Sequence, residues 1–500
     1  MKILSSTQIY KADQATIKSL GISSTELMEI AATKCADWIM GRYSDRSRQI
    51  HVFCGMGNNG GDGLVISRIL IESGYSVACY NVNFSKKKSE DFQINLEKLK
   101  QTGYTPLEIF ELKNFPHIAS KELVIDAIFG LGLTREPKGI AKEVIKKINC
   151  SKAEVVAIDF PSGLFAEGSV TEPSSVIKAD YTLTFQNPKL AFFLPDNRFY
   201  IKNWIVLDIG LDQNYIDSVD FQYKAVDEAM IKAMFKTRER FTHKGSFGHS
   251  LLIGGSFGKI GAVILASRAS LKTGSGLVST YIPKCGYTAM QSSNPEIMVE
   301  VDDENYLQFF NFKTKPTAIG IGMGMGMHLK TKKGFIAFLK SNKIPMLIDA
   351  DGLNIIAEHE ELSDLILENT ILTPHPKEFQ RLVGSWENDY EKLDKQNKFS
   401  DTHKCLVVLK GAYTSISYGG KIYFNTSGNP GLATAGSGDV LSGIITGLVA
   451  QGYKPLEAAL IGVYVHGRAA DLGIKNEESM ESFIASDCIN NLGKVFKELV

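Results

Sequence analysis

Residues 55–63 read Gly-Met-Gly-Asn-Asn-Gly-Gly-Asp-Gly, and the chain on either side predicts how this loop is held. The apolar run 50–54 before it has the length of a buried strand, and residues 63–72 after it have a helical composition. Glycine-rich backbone approaches a phosphate group closely, and a helix N-terminus favours an anion. The pattern predicts a strand–loop–helix unit that binds a phosphorylated ligand, although a merely tight strand–helix turn also fits the glycines.

Short apolar strands and helices alternate outward from this loop. Two helices are predicted within residues 6–40, interrupted at 21–24, and another helix at 139–147. Further strands are expected at 76–82, 123–128, 155–158, 181–185 and 204–209. Such alternation is typical of a mainly parallel, doubly wound sheet. The first part of the chain is therefore predicted to be a Rossmann-like α/β domain.

A second α/β series follows a change in composition. Residues 211–245 contain few glycines and end in the charged segment 236–240, so we place a domain boundary near 212–225. Strands are then expected at 250–254, 318–321, 346–348, 371–372, 405–409 and 414–417, before helices at 438–450 and 455–472. The two series share no motif, which argues against an internal repeat. We expect two doubly wound α/β domains, residues 1–216 and 222–500.

Polar residues at three predicted strand ends indicate the chemistry of the first domain. Asn58, Asn59 and Asp62 follow the first strand, while Asp126 and Asp159 follow apolar runs further along. Ligands of open parallel sheets bind beyond the carboxyl ends of the strands. One aspartate could be a helix cap, but three such strand ends with oxygen ligands indicate a site for a sugar or a cation.

The loop satisfies the spacing G-x-G-x-x-G, which alone is a weak signal. The dinucleotide fingerprint also has an acidic residue at the end of the next strand. Here the strand 76–82 ends at Asn83. The sequence therefore argues against a standard NAD-dependent dehydrogenase.

In the second domain, residues 436–439 read Gly-Ser-Gly-Asp and begin an apolar helix. The free N–H groups of its first turn form an anion hole, and the carboxylate of Asp439 lies where it can take the proton of an attacking hydroxyl. The alternative is that Asp439 only complements the helix dipole, worth under ~1 kcal/mol. Residues 254–259 lack the Walker A spacing, which excludes a P-loop enzyme.

Other residues of the second domain have two interpretations. His375, between two prolines, either contacts substrate, which we favour, or only stiffens its loop. Asp349 and Asp351 either serve Mg²⁺ through water or shape a turn. His466, on the apolar helix 459–472, is interpreted as a packed histidine.

In chain order, the motifs of the first domain resemble the NAD(P)H-hydrate epimerase domain over roughly residues 1–215. They are Gln8-x-x-x-x-Asp13, Glu26-Leu27-Met28-Glu29, the loop 57–63, Asp126-Ala127-x-Phe129-Gly130 and Asp159-x-Pro161-Ser162-Gly163. The resemblance implies that the hydrated dinucleotide contacts Asn58, Asn59, Gly60, Gly61, Asp62, Gly130, Leu131, Gly132, Leu133, Thr134, Arg135, Glu136 and Asp159.

The resemblance also implies a potassium ion held by Asn59, Asp126 and Ser162. Oxygen-only ligands suit such a hard cation. Asp126 is our candidate for the acid or base of the epimerase. Phe160 departs from the small aliphatic residue that is usual in this family.

The motifs of the second domain resemble the ribokinase-like superfamily and, within it, the NAD(P)H-hydrate dehydratase family, over roughly residues 225–500. They include Lys244-Gly245-x-x-Gly248, Gly254-Gly255-Ser256, Asp349-Ala350-Asp351-Gly352, Leu372-Thr373-Pro374-His375-Pro376 and Lys410-Gly411. The implied substrate contacts are Ala262, Gly324, His375 and Asp439. The implied adenine-nucleotide contacts are Lys410, Gly411, Ala412, Tyr413, Thr414 and Gly438. Gly320-Ile321-Gly322 stands where the family usually has Gly-Pro-Gly.

These resemblances imply a bifunctional enzyme that repairs hydrated NADH and NADPH. The first domain would interconvert the R and S hydrates at C6 of the nicotinamide ring, by C–O ionisation or by ring opening. The second would dehydrate the S hydrate, with Asp439 as base and ADP with Mg²⁺ as phosphoryl donor, releasing AMP and phosphate. Alternatives are a ribokinase-like kinase of a small vitamin-type alcohol with an accessory nucleotide-binding domain, and a non-enzymatic nucleotide-binding scaffold.

Composition limits the partners. Lys plus Arg and Asp plus Glu both number 55 in 500 residues, so charge gives no case for nucleic acid or membrane partners. The seven cysteines form no C-x-x-C pair, which fits a reducing cytoplasm. No apolar run approaches the ~18 residues of a membrane span. We expect a cytoplasmic homo-oligomer acting on small molecules, with residues 86–88, Lys-Lys-Lys, in a solvated loop.

Overall fold

The computed structural model describes residues 1–303, 305–476 and 478–500. The chain divides into two compact units, Met1–Tyr223 and Lys224–Val500. The predicted end of the first domain at residue 216 lies inside a short helix, Gln213–Ser218. Lys2 Nζ donates to the carbonyl oxygens of Ile216 at 2.9 Å and Val219 at 2.6 Å. This helix is therefore tied to the start of the first unit.

The first unit contains a seven-stranded sheet with helices between its strands. The strands of this unit are β1 (Lys2–Ile3), β2 (Ile50–Cys54), β3 (Val77–Val82), β4 (Leu107–Ile109), β5 (Leu123–Ala127), β6 (Glu154–Ile158), β7 (Ala179–Phe185) and β8 (Ile201–Leu207). Its helices are α1 (Ser6–Leu20), α2 (Ser24–Arg42), α3 (Asn58–Glu72), α4 (Glu90–Gln101), α5 (Gly139–Cys150) and α6 (Gln213–Ser218).

The strand order of this sheet is β4-β3-β2-β5-β6-β7-β8, and all adjacent pairs are parallel; the two-residue strand β1 is not part of this sheet. The chain moves outward from β2 to β4 and then returns to the other side at β5, which is the arrangement of a Rossmann-like fold. The predicted doubly wound sheet is confirmed. The amphipathic helix α4 and the short strand β4 were not predicted.

Local sequence explains the break between the first two helices. Gly21 ends α1 in the left-handed conformation, with φ 66°. Ser23 then caps α2, because its side chain accepts from the N–H of Glu26 while the Glu26 side chain accepts from the N–H of Ser23. The two caps fix the corner at which α1 and α2 meet.

The second unit carries a larger sheet. Its strands are β9 (Tyr223–Val226), β10 (His249–Ile253), β11 (Leu277–Ile282), β12 (Met298–Val301), β13 (Ala318–Ile321), β14 (Met346–Ile348), β15 (Ile371–Leu372), β16 (Leu406–Leu409), β17 (Ser415–Tyr418) and β18 (Lys421–Asn425). Its helices are α7 (Glu228–Met234), α8 (Ile260–Thr273), α9 (Tyr287–Ser293), α10 (Leu329–Ser341), α11 (Ala350–Ile356), α12 (Pro376–Val383), α13 (Asp389–Thr402), α14 (Ser437–Ala450), α15 (Pro455–Asn476) and α16 (Ala485–Leu499).

From β18 to β12 the order is β18-β17-β16-β15-β14-β13-β10-β11-β12. The pairs from β12 to β16 are parallel, while β16, β17 and β18 pair antiparallel. Gly419 and Gly420, both with positive φ, form the two-residue turn between β17 and β18. The prediction of a mainly parallel sheet is confirmed, with an antiparallel hairpin at one side.

Helix α14 is held in place by close packing against α8. A Cβ at Gly443 would lie 2.0 Å from the carbonyl oxygen of Ala266, so only glycine permits this approach. Nearly all of α14 beyond its first turn is buried, which fixes the position of that turn. No helix in the described ranges combines the length and the apolar character needed to cross a membrane.

Candidate active sites

A cavity of about 760 Å³ lies in the first unit, beyond the carboxyl ends of β2, β5 and β6. This is where the strand order reverses, the expected ligand position of such sheets. Most predicted contact residues line it, namely Asn58, Asn59, Asp62, Gly130, Leu131, Gly132, Leu133, Thr134, Arg135 and Asp159. Side chains of α1 and α2 cover the cavity from the other side.

Gly60, Gly61 and Glu136 were predicted to contact the ligand but are not among the lining residues. A Cβ at Gly60 would lie 1.8 Å from the carbonyl oxygen of Gly55, and one at Gly61 would lie 2.7 Å from Met28 Sδ. These two glycines serve a tight turn, whereas Gly57 faces the cavity, and a Cβ there would have no atom within 4 Å. Glu136 accepts a hydrogen bond from the hydroxyl of Thr171. The tight-turn interpretation therefore describes Gly60 and Gly61, while ligand binding at Gly57 stays a prediction.

The three predicted cation ligands lie together around the backbone of Phe129. Asn59 Nδ2 donates to the Phe129 carbonyl oxygen at 2.9 Å, and the Phe129 N–H donates to Ser162 Oγ at 2.8 Å. Ser162 Oγ in turn donates to Asp126 Oδ1 at 2.5 Å. The Oδ1 atom of Asn59 is buried without a hydrogen-bond partner, as expected of a group kept for a ligand.

Asp126 itself is fully buried and does not line the cavity. Its carboxylate accepts from the N–H of Ser162 at 2.8 Å and the N–H of Ile128 at 3.3 Å. Burial raises its pKa to about 6, against the opposing effect of these hydrogen bonds. This position suits a cation ligand. It does not suit proton transfer to a substrate in the cavity, so the acid or base has to be sought among the residues that line the cavity.

Three other carboxyl groups line the cavity, those of Asp13, Asp62 and Asp159. Asp159 adopts a left-handed backbone conformation, φ 60°, which is uncommon for a residue other than glycine and occurs often at functional sites. Lys189, only 2% exposed, lies 3.5 Å from Asp159 Oδ1. Asp13 carried no assigned role in the sequence, and Lys189 was missed because no local pattern marks a buried lysine.

Phe160, the departure from the family pattern, is accommodated in the core. Its ring is buried and stacks on that of Phe192, with centroids 5.6 Å apart. The substitution therefore adds packing beside Asp159 without entering the cavity. Lys87 of the predicted solvated loop is exposed and also lines the cavity rim.

In the second unit, the start of α14 lies beside a cluster of charged side chains. Gly436 precedes the helix with φ 85°, and no side chain caps the helix start. Lys410 Nζ lies 3.0 Å from Asp349 Oδ1 and 3.9 Å from Glu378 Oε2. A Cβ at Gly438 would lie 3.4 Å from the same Nζ atom. The first-turn N–H groups and one ammonium therefore adjoin the same space.

Asp439 projects from this first turn. Burial, followed by the negative charge of Asp349, raises the pKa of its carboxyl to about 7, and Lys410 partly opposes the rise. A carboxylate with a pKa near neutrality is suited to take up and release a proton at physiological pH.

Asp349 and Asp351 have different surroundings. Asp349 is buried and accepts from Ser442 Oγ at 2.7 Å as well as pairing with Lys410. Asp351 Oδ2 accepts from the N–H of Gly326 at 2.8 Å, which shapes the loop after β13. The turn-shaping alternative therefore describes Asp351, while Asp349 holds the lysine at the helix start.

His375 caps helix α12. Its Nδ1 atom accepts from the N–H groups of Lys377 and Glu378 at 3.1 and 3.3 Å, and Glu378 Oε2 accepts from the N–H of His375 at 2.8 Å. Its side chain stays 45% exposed, with Nε2 3.5 Å from Glu378 Oε1. The structure thus adds a capping role to the predicted substrate contact.

The remaining predicted residues of this site lie at neighbouring strand ends. A Cβ at Gly324 would lie 3.0 Å from that of Ala262, and the Gly324 carbonyl accepts from Ser256 Oγ at 2.9 Å. The N–H of Lys410 donates to the carbonyl oxygen of Pro374 at 2.9 Å, which joins the nucleotide segment to the residue before His375. The other members of that segment, Gly411, Ala412, Tyr413 and Thr414, form the turn before β17.

His466 is buried, as predicted, with Nε2 3.2 Å from Ser437 Oγ. Burial lowers its pKa to about 4, so the ring is neutral near pH 7. It supports the start of α14 from behind.

Fold and sites together define a two-domain α/β enzyme whose second unit is built for phosphoryl chemistry at a helix start. Two families match successive parts of the chain: YjeF-related protein N-terminus over residues 24–191, and NAD(P)H-hydrate dehydratase over residues 250–491. The chain is 32% identical to the bifunctional NAD(P)H-hydrate repair enzyme Nnr of Moorella thermoacetica, over 100% of its own length and 97% of that protein. It is 30% identical to the enzyme of the same name from Escherichia coli, over 97% and 92%.

The chain therefore belongs to the family of bifunctional NAD(P)H-hydrate repair enzymes. A solved structure of ADP/ATP-dependent NAD(P)H-hydrate dehydratase from Bacillus subtilis, co-crystallized with ATP/Mg2+, is 27% identical, with a TM-score of 0.49. The match covers 55% of this chain and 98% of the Bacillus subtilis chain.

Proposed function

We propose that this chain returns hydrated NADH and NADPH to the intact cofactors by two reactions. The first unit interconverts the R and S hydrates, and the second dehydrates the S hydrate with a nucleotide as phosphoryl donor. One observation above all supports this proposal: Asp439 and the uncapped start of α14 adjoin the Lys410–Asp349 pair. Donors for phosphate oxygens and an acceptor for a hydroxyl proton are thus brought together.

In the dehydratase, the C6 hydroxyl of the S hydrate attacks the β-phosphorus of ADP while Asp439 takes the hydroxyl proton. AMP leaves, and C6 carries a phosphate ester. The C6–O bond then breaks with its electron pair going to phosphate, the C5 proton is lost, and the C5–C6 double bond is restored. The first-turn N–H groups of α14 and Lys410 stabilise the transferred charge. Mg²⁺ bound with the nucleotide would supply positive charge for its phosphates, and Asp349 would hold it through a water.

Substrate and nucleotide contacts follow the predicted sets. Ala262, Gly324 and His375 form the hydrate side of the site, and the segment 410–414 with Gly438 forms the nucleotide side. The proximity of Gly324 to Ala262 and of Lys410 to Gly438 supports these assignments. ADP rather than ATP is proposed as the donor.

In the first unit, we propose that a potassium ion is held by Asn59, Asp126 and Ser162. The buried, unpartnered Oδ1 of Asn59 supports this, because a desolvated amide oxygen costs about 1–3 kcal/mol unless it gains a ligand. The ion would offset the buried Asp126 charge and fix the Phe129–Gly130 backbone. The segment 130–135 that lines the cavity would thereby be held in position.

The cavity suits a dinucleotide of mixed charge. Its volume of about 760 Å³ lies within the range of small-molecule sites. The N-terminus of α3 offers N–H groups to phosphates, and Lys87 and Arg135 are the cationic lining residues. The carboxyl groups of Asp13 and Asp159 lie outside this helix, on α1 and directly after β6, where the uncharged hydrated ring is expected.

The decisive experiment supplies a mixture of R and S NADH hydrates, Mg²⁺, K⁺ and ADP, and follows recovery of the absorbance of the reduced ring. Full recovery with release of AMP and phosphate is expected. Recovery of the S fraction alone would support the dehydratase reaction and contradict the epimerase reaction. A stable phosphorylated product would instead favour the alternative, a ribokinase-like kinase with an accessory domain, and nucleotide binding without turnover would favour a scaffold.

We also propose that the enzyme acts in a reducing cytoplasm as a homo-oligomer. All seven cysteines lie in the described ranges and none forms a disulfide, which supports such a compartment. Light scattering on the purified chain would determine its oligomeric state.

A further inference from the structure

We infer that Asp13 and Asp159 are the acid and base of the epimerase, and that Lys189 positions Asp159. This inference rests on the proposed epimerase function and assigns its proton transfer to a pair that faces the cavity. Both carboxyl groups belong to the cavity wall, one on helix α1 and the other directly after strand β6.

The hydrogen bonds of Asp159 leave one oxygen available. Oδ1 accepts from the N–H of Phe185 at 3.2 Å and the hydroxyl of Thr184 at 3.3 Å, and it lies 3.5 Å from Lys189 Nζ. Among the described residues, Oδ2 accepts from none. One oxygen is therefore tied to protein donors, while the other can take a proton from a ligand.

Lys189 is held in place behind this carboxylate. Its side chain is 2% exposed, and Nζ donates to the carbonyl oxygens of Phe185 at 2.9 Å and Asn187 at 2.8 Å. Two carbonyls and a carboxylate are the partners that an ammonium satisfies with its three N–H groups. Lys189 does not line the cavity, so it acts through Asp159 as a positioning residue.

Asp13, unlike Asp159, is not tied to protein hydrogen-bond donors among the described residues. Within the described ranges its carboxyl group makes no hydrogen bond, and the charged or titratable groups that face it are Asp159, Lys189 and Asp62. Burial, followed by the charge of Asp159, raises the pKa of Asp13 to about 7. Asp13 is therefore the member of the pair that can hold a proton near neutral pH, as one of two carboxyl groups with different environments does in acid–base pairs.

Both open routes of epimerisation use this pair. If the C6–O bond breaks, Asp13 protonates the departing hydroxyl, water leaves with the bonding electrons, and the N1 lone pair forms a C=N bond. Water then adds to the opposite face while Asp159 takes its proton.

If the ring opens, Asp159 takes the hydroxyl proton, the C6–N1 electron pair moves to N1, and Asp13 protonates N1. Rotation of the resulting aldehyde and the reverse steps give the other epimer. After C–O ionisation the proton returns from Asp159 to Asp13, whereas ring closure itself restores both groups.

The test uses the full chain with mixed hydrates, K⁺, Mg²⁺ and ADP. We expect Asp13→Asn to recover the S fraction at the normal rate and to leave the R fraction, with epimerase kcat lowered at least ~10²-fold and KM little changed. Asp91→Asn is the matched control, since Asp91 is a buried aspartate of the same unit that pairs with Ser24 and Thr25 and lies outside the cavity lining. Asp91→Asn should recover both the S and the R fractions at the wild-type rates.

Mixing two variants shows whether the second unit of Asp13→Asn is still folded and active. Adding an Asp439→Asn protein, which lacks the dehydratase base but keeps an intact first unit, should restore recovery of the R fraction. The wild-type epimerase kcat should fall as pH rises through about 7, where Asp13 loses its proton, and Asp13→Asn should lack this alkaline limb. Lys189→Met should move the limb to higher pH, because Lys189 lowers the pKa of Asp13.

If Asp13→Asn recovers both fractions at the wild-type rate, the inference is wrong while the epimerase function stands. If the wild-type chain recovers only the S fraction, the epimerase function itself fails. A folding defect of Asp13→Asn, seen as a lost thermal transition, would move the decision to the pH profile of Lys189→Met. An unshifted alkaline limb in that variant would also overturn the inference.

Discussion

Replacing Asp439 by Asn separates a catalytic carboxylate from a helix-stabilising one, because the two roles predict opposite changes in stability. Asn has nearly the same shape and is also well tolerated near a helix start. It cannot accept the proton of the C6 hydroxyl. We therefore expect dehydratase kcat to fall at least ~10²-fold, with nucleotide binding and epimerase activity retained.

The stability change can be worked out from the electrostatics of the site. The pKa of Asp439 rises from 3.8 to about 7 on folding, and at ~1.4 kcal/mol per pKa unit this corresponds to at most about 4 kcal/mol against the ionised form. Between these two pH values the folded protein holds a proton that the unfolded chain has released. Raising the pH through this window therefore favours unfolding.

Asp439→Asn removes this cost, so the second unit should be as stable as wild type near pH 4 and more stable near pH 8. Thermal unfolding followed by calorimetry at both pH values measures the difference, and recovery of reduced-ring absorbance from pure S hydrate measures kcat. In wild type, kcat should rise with pH through about 7 as the base ionises. A well-folded variant with near-normal dehydration, or one less stable than wild type at pH 8, would refute the reasoning.

Three further predictions concern the cation, the domains and the donor. Asp126→Ala should weaken potassium binding and abolish epimerisation while S-hydrate dehydration continues, as measured by potassium titration of both rates; epimers interconverting at normal speed would contradict the site. Fragments 1–222 and 223–500 should each fold and keep their own activity because the cut lies between α6 and β9, whereas a fragment ending at 216 should be less stable because it cuts α6; loss of both activities on cutting after residue 222 would show that the two units are not separable. ADP should support faster dehydration than ATP in steady-state assays, and the reverse order would overturn the choice of donor.

The alternation of strands and helices could be predicted because parallel strands covered on both faces read as short apolar runs. Strand β2 is buried along its whole length, and its neighbours follow the same pattern. Strand β4 escaped prediction because two of its three residues are exposed. The hairpin β17–β18 could not be placed from the strand pattern alone, because pairing direction depends on the turn at Gly419 and Gly420 and on the sheet beside it.

The candidate sites were predictable where one motif carries the chemistry and unpredictable where distant residues meet. Asp439 lies in the turn that the Gly-Ser-Gly-Asp pattern indicates. The proposed partnership of Asp13, Asp159 and Lys189 joins residues far apart in the chain, and burial raises the pKa of Asp13. No local pattern reports desolvation, which is why the sequence indicated Asp126 as acid or base, and not Asp13, which lines the cavity and which we propose for this role.

The capping of helix α12 by His375 restricts the chemistry of its imidazole. Because Nδ1 is used as an acceptor for two backbone N–H groups, the neutral ring must carry its proton on Nε2. The exposed edge of the ring is then a hydrogen-bond donor and cannot act as a base toward substrate. Protonating Nδ1 would require the helix start to give up these bonds, and burial separately lowers the pKa of His375. The ring is thus held in one tautomer, so that it can orient a phosphate or carbonyl oxygen without competing with Asp439 for a proton.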